Sequence, residues 1–113
     1  MSDGKAIYIV GVTVLPEYEA EFNDWYDNIH LPMVLKSKGI EKVTRYKLAP
    51  MTEGDNAEYL TICEFADTDA YLVWRSSPEM KATMAEQEER WAGRDWREVK
   101  FRAVYNIIGT RKP

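Results

Sequence analysis

Hydrophobic spacing along this chain changes period repeatedly, and the order of those changes restricts the fold more than any other feature. Lys5 to Val14 is rich in β-branched and aromatic residues and reads as a strand. Ile7 and Ile9 share one parity, and Tyr8, Val10, Val12 and Val14 share the other. With both parities apolar, the strand is expected to be covered on both faces. From Pro16 the spacing becomes helical, through Tyr18, Phe22, Trp25, Tyr26, Ile29 and Met33. Pro16 suits a first helical position, and Glu17, Glu19 and Glu21 lie at the positive end of the helix dipole. Lys36, Lys38 and then Gly39 mark the far end, with Gly39 as the expected C′ residue. Pro32 falls inside this run and disfavours helical geometry at Leu31, so a break or kink is expected near residues 30–32.

Period two returns from Ile40 to Leu48 and again from Ala57 to Phe65, across a turn-rich stretch at 49–56. Asp67 or Thr68 can cap a short helix to about Arg75, and Ser77-Pro78 restarts it. Met80, Met84, Gln87 and Trp91 form its inward stripe, and Gly93 ends it. Val99 to Ile108 is a fourth strand, with Val99, Phe101, Ala103, Tyr105 and Ile107 on one parity. The order β-α-β-β-α-β is a split βαβ arrangement: a four-stranded antiparallel sheet with helices on one face. The other face would be bare and apolar. A homodimer that pairs two such faces removes the exposure.

At 113 residues and 13.2 kDa there is room for one domain, covering 1–113. The chain is 45% apolar and 30% charged, which excludes a disordered or low-complexity protein. One cysteine, Cys63, excludes an intrachain disulfide. A net charge of −4 argues against a general nucleic-acid binder. The longest nearly apolar run, Ala6 to Leu15, is too short to span a bilayer. Met1-Ser2-Asp3-Gly4 lacks the basic region of a signal peptide. A cytoplasmic protein with no membrane partner is expected.

His30 is the sole histidine and shares a stripe with Phe22 and Tyr26. Two readings are open: a structural histidine under Pro32, or a general acid–base near neutral pH. Asp27, three residues earlier, could reach it. No second histidine or cysteine pair completes a metal site, so no metal and no cofactor are expected. Cys63 reads as a small buried hydrophobe. Arg90, Arg94, Arg97, Lys100 and Arg102 form a basic stretch with Trp91 and Trp96 interleaved, which could bind an anion or stack on bases and is read first as a solvated face balancing the acidic first helix.

Phe22-Asn23-Asp24-Trp25-Tyr26-Asp27-Asn28-Ile29-His30-Leu31-Pro32 resembles the F-x-x-W-Y-x-x-x-H-x-P signature of the EthD-like family, part of the dimeric α+β barrel superfamily. Gly39 and the strand at Arg45-Tyr46 follow as they do there. The resemblance implies a ferredoxin-like subunit that pairs into a dimeric α+β barrel. It is similar to small cofactor-free decarboxylases, dehydratases, cyclases and isomerases of catabolic and polyketide pathways. Residue by residue it makes His30 the leading catalytic candidate, with Tyr26 beside it. Trp25 and Phe22 match the motif as pocket-lining and structural positions. Haem-degrading relatives place their histidine on the second helical segment, where this chain has none.

Two functions follow. The first is a cofactor-independent lyase, isomerase or cyclase acting on a small apolar or aromatic oxygenated molecule. In it His30 moves a proton and Tyr26, or a strand tyrosine among Tyr8, Tyr46 and Tyr59, orients an oxygen. The second is a non-catalytic ligand-binding or stress-associated protein on the same scaffold. A second polar group converging on His30 separates them.

Overall fold

The computed structural model describes residues 5–113, so the reading of Met1–Gly4 lies outside the described residues. The elements are β1 (Ala6–Val14), a 3₁₀ turn (Pro16–Tyr18), α1 (Glu19–Trp25), a π turn (Tyr26–His30), α2 (Leu31–Val34), β2 (Ile40–Lys47), β3 (Tyr59–Phe65), α3 (Thr68–Arg75), α4 (Pro78–Arg90) and β4 (Arg97–Asn106). The strands form one antiparallel sheet in the order β2-β3-β1-β4. The fold is ferredoxin-like, as the period changes imply. Asp67 and Ser77 cap α3 and α4, accepting from the backbone N–H of Ala70 and Met80.

Two aromatic clusters join helices to sheet. One holds Val12, Val14, Phe22, Trp25, Tyr26, Tyr59, Trp91 and Trp96. The other holds Val34, Cys63, Phe65, Tyr71, Trp74 and Met80, with Tyr8 against it. Along α4 the inward residue is Thr83 rather than Met84: the Thr83 hydroxyl donates to the Glu79 carbonyl, and Met84 is exposed. That local bond lets a small polar side chain be fully buried on the inner side of α4.

Pro32 does not break the first helix. Leu31 stays helical (φ −63°, ψ −41°), and its N–H donates five residues back to the Tyr26 carbonyl. A proline ring collides with the carbonyl four residues earlier, here that of Asn28. Widening one turn to π geometry relieves the collision without ending the helix. The expected break is therefore a π turn, and Tyr26 and His30 at its two ends are both buried. Gly39 is not a helix cap either: it lies beyond the helix end with φ +97°, where a Cβ would come within 2.6 Å of the Ala70 carbonyl oxygen.

The expected parity of β4 also needs correction. Gly11 pairs with Phe101 but Val12 pairs with Val99, so Lys100 is an extra residue in a β-bulge. Val99 therefore turns towards the helices, while Phe101, Ala103 and Tyr105 join Ile7 and Ile9 on the open face. Leu60, Ile62 and Tyr46 continue that face across β3 and β2. The same shift puts Arg97 and Arg102, five residues apart and of opposite parity, on the helix-bearing face. They pair there with Val14 and Val10.

Gly11 anchors this register. A Cβ there would lie 2.6 Å from the Phe101 ring and 2.8 Å from the Ala57 Cβ. Gly11→Ala is expected to destabilise the fold by ~1–3 kcal/mol through overpacking, measured by urea unfolding. An unchanged midpoint would contradict the assigned register.

Candidate functional site

The π turn aims two side chains at the sheet. Tyr26 packs between Phe22 (ring centroids 5.2 Å apart) and Trp25 (5.8 Å). Its hydroxyl is 2.7 Å from the Thr61 hydroxyl on β3, and either can donate. Burial pushes the Tyr26 phenol up to about 12, with the Thr61 hydrogen bond opposing, so it is neutral at physiological pH.

His30 is 8% exposed and lies against Trp25 at 4.7 Å and Tyr26 at 4.8 Å between ring centroids. Its Nδ1 is buried with no hydrogen-bond partner among the described residues. Burial pulls the imidazole down from 6.5 to about 4; the Glu86 carboxylate opposes this, and the Arg97 and Arg45 cations add to it. His30 is therefore a neutral base at pH 7. Glu86 is fixed by the Trp25 indole N–H, which donates to Oε1 at 2.9 Å, and by Arg90 at 2.7 Å.

Asp27 does not reach His30. It pairs with Arg45 at 2.8 Å, and Arg45 also donates to Asn23 at 2.8 Å while lying over the Tyr26 ring at 4.6 Å. Asn23 donates to the Tyr59 hydroxyl, which donates to Glu19, and Lys47 reaches the same carboxylate. Asn23, Arg45, Tyr46, Lys47 and Tyr59 line an open groove of about 300 Å³. Asn23, Arg45, Lys47 and Tyr59 are already held there by one another, by Asp27 and by Glu19.

The expected site residues thus fall in separate places. His30, Tyr26 and Trp25 come together, with Phe22 as fully buried support. Tyr8 lies on the helix-bearing face, 5.7 Å from Tyr71, and its phenol is raised by burial against the charge of Arg102. Tyr59 belongs to the Glu19 network. Tyr46 pairs with Leu60 on the opposite sheet face and borders only the edge groove. Cys63 is buried, and burial pushes its thiol up to about 12, leaving it unreactive. Thr61 and Glu86 act on the site but were not singled out from sequence, and Arg97 was read only as part of the basic stretch. They come from β3, α4 and β4, and only the tertiary register brings them to the first helix. Among the described residues no group of three or more His, Cys, Asp or Glu could hold a metal ion, and no helix is long and apolar enough to cross a membrane.

Residues 5–97 match a family model described as a domain of unknown function, DUF4286. The chain belongs to the DUF4286 family. No curated protein matches it in sequence. Among solved structures this DUF4286 chain is similar to the hydroxynitrile lyase of Passiflora edulis, with 12% identity and a TM-score of 0.72 over 98% of this chain and 100% of that one. It is similar to an EthD family protein of Bacillus halodurans, with 18% identity and a TM-score of 0.62 over 93% and 99%. It is also similar to SnoaB, a cofactor-independent oxygenase of Streptomyces nogalater, with 13% identity and a TM-score of 0.61 over 95% and 96%. At such identities the likeness concerns the fold, and it agrees with the EthD-like resemblance of the first helix.

The depressed His30 pKa has a consequence for stability. Between pH 6.5 and about 4 the unfolded chain binds a proton at His30 that the folded chain refuses. Stability should therefore fall with pH through that window, by up to ~3 kcal/mol from this group. His30→Gln should flatten that part of the profile, measured by urea unfolding at pH 7, 5.5 and 4.5. Identical pH profiles for the two proteins would contradict the neutral, buried imidazole.

Proposed function

We propose that this protein is a cofactor-independent enzyme of the lyase, isomerase or cyclase type, moving a proton on a small apolar or aromatic oxygenated molecule. The observation that carries the reading is the buried, neutral His30 imidazole with an unpartnered Nδ1. A nitrogen kept dry and unmatched has a deficit that a substrate proton or hydroxyl would fill. In the proposed step, His30 takes a proton from a substrate O–H or C–H as the adjoining bond shifts. The resulting imidazolium, a strong acid in this setting, returns the proton to the product. The Glu86 carboxylate is the charge that favours the imidazolium. When Thr61 donates to Tyr26, the Tyr26 O–H is left to donate to a substrate oxygen. The fold likeness to a hydroxynitrile lyase and a cofactor-independent oxygenase supports small-molecule chemistry on this scaffold.

A binding-only role is the second reading. It is favoured by the engagement of Asp27 with Arg45, which leaves His30 without a directly bonded carboxylate. Screening hydroxynitriles and small aromatic ketones or lactones separates the two. Catalysis predicts turnover that falls ~10²–10⁴-fold in His30→Gln, because glutamine cannot take up a proton. A folded His30→Gln variant with unchanged turnover would overturn the role of His30. Binding without turnover across the panel would favour the second reading.

We also propose that a second copy covers the open sheet face. Phe101, Tyr105 and Tyr46 are 42%, 58% and 51% exposed there. The total accessible surface of 7651 Å² exceeds the ~6,400 Å² expected for a compact monomer of this mass. Light scattering at micromolar concentration should give twice 13.2 kDa, and a stable 13.2 kDa species would contradict the pairing.

A further inference from the structure

The basic stretch at residues 90–102 separates into two kinds of cation. Arg90 pairs with Glu86, Arg94 with Glu21, and Lys100 with Asp55 and Glu98. Arg97 and Arg102 pair with no carboxylate among the described residues. The bulge at Lys100 turns both of them onto the helix-bearing face. Arg97 is half-buried, with its guanidinium 4.5 Å above the Trp96 ring. Burial and the neighbouring Arg102 both disfavour its charge, and that charge is felt at His30 and Tyr26. Arg102 stands beside Tyr8. Val104, paired with Tyr8 on the same face, is 39% exposed, so the helices leave this end of β1 and β4 open. Arg97 and Arg102, neither with a carboxylate partner among the described residues, therefore share the helix-bearing face with Tyr8, and the charge of Arg97 reaches the buried His30.

We propose that Arg97 and Arg102 bind the carboxylate of a small aromatic or apolar acid, with its apolar body against Tyr8 and towards His30. The inference rests on the reading of His30 as the functional centre and names the substrate class of that site. An arginine fork matches a carboxylate in two parallel hydrogen bonds. The aromatic surroundings favour an organic acid over inorganic phosphate.

The test uses the full chain, with benzoate as probe, and benzamide and inorganic phosphate as controls. Binding is read by calorimetry and by the ring signals of His30, the one histidine. Benzoate should bind at least tenfold more tightly than benzamide or phosphate, and should shift the His30 signals. Arg102→Gln, at an exposed position, should weaken benzoate at least tenfold while the circular dichroism spectrum is unchanged. Arg97→Lys should weaken it by a similar factor. Equal affinity for benzoate and benzamide would overturn the proposal. So would preference for phosphate, no benzoate binding at millimolar concentration, or full benzoate affinity in folded Arg102→Gln. Turnover plays no part in these readouts, so carboxylate recognition can fail while proton transfer by His30 stands, and the reverse.

Discussion

The indole of Trp25 lies 4.7 Å from the imidazole of His30, and its N–H is held by Glu86 on α4. Edges of Tyr26, Trp91 and Trp96 surround the same indole within 6.0 Å. Trp25 therefore does two things for the site. It supplies the apolar wall that keeps water and charge from His30, and it fixes the carboxylate whose field opposes that exclusion. α1, α4 and the segment that joins α4 to β4 meet at this one side chain. Their relative placement sets the chemistry of the imidazole more than any residue in direct contact with Nδ1.

The π turn is the second requirement. An uninterrupted α-helix carrying Pro32 would set its ring against the Asn28 carbonyl. The wider turn accommodates the ring and leaves Tyr26 and His30 facing the sheet together. The proline and the histidine of the signature are thus mechanically linked, and the shape of the site depends on the backbone adjustment that Pro32, two residues beyond His30, imposes.

Much of this was legible in the sequence because it is local. Period changes located the strands and helices. Ser77-Pro78 and Asp67 marked helix starts, and the stripe Phe22, Tyr26, His30 pointed inward as read. What was not legible depended on register or on a choice between two local solutions. Pro32 announced a disturbance but not whether the helix would break or widen. A one-residue bulge at Lys100 puts Val99 and Phe101 on opposite faces and both arginines on the same one, which strict alternation cannot reveal. Tyr46 reads as aromatic on a strand, yet its parity carries it to the face away from His30. Arg45 and Arg97 illustrate the same point for charge. Asp27 and Asn23 satisfy the first, while the second has no carboxylate partner among the described residues, and only their positions in the sheet distinguish them.

The account depends on His30 being neutral and buried in the free protein, and the chain has a single imidazole to observe. Following its ring signals by NMR from pH 8 to pH 3.5 measures that state directly. The structure predicts a neutral ring down to pH 5 and a midpoint at about 4. A midpoint at 6.5 or above would mean a solvated or ion-paired histidine, and would contradict the account.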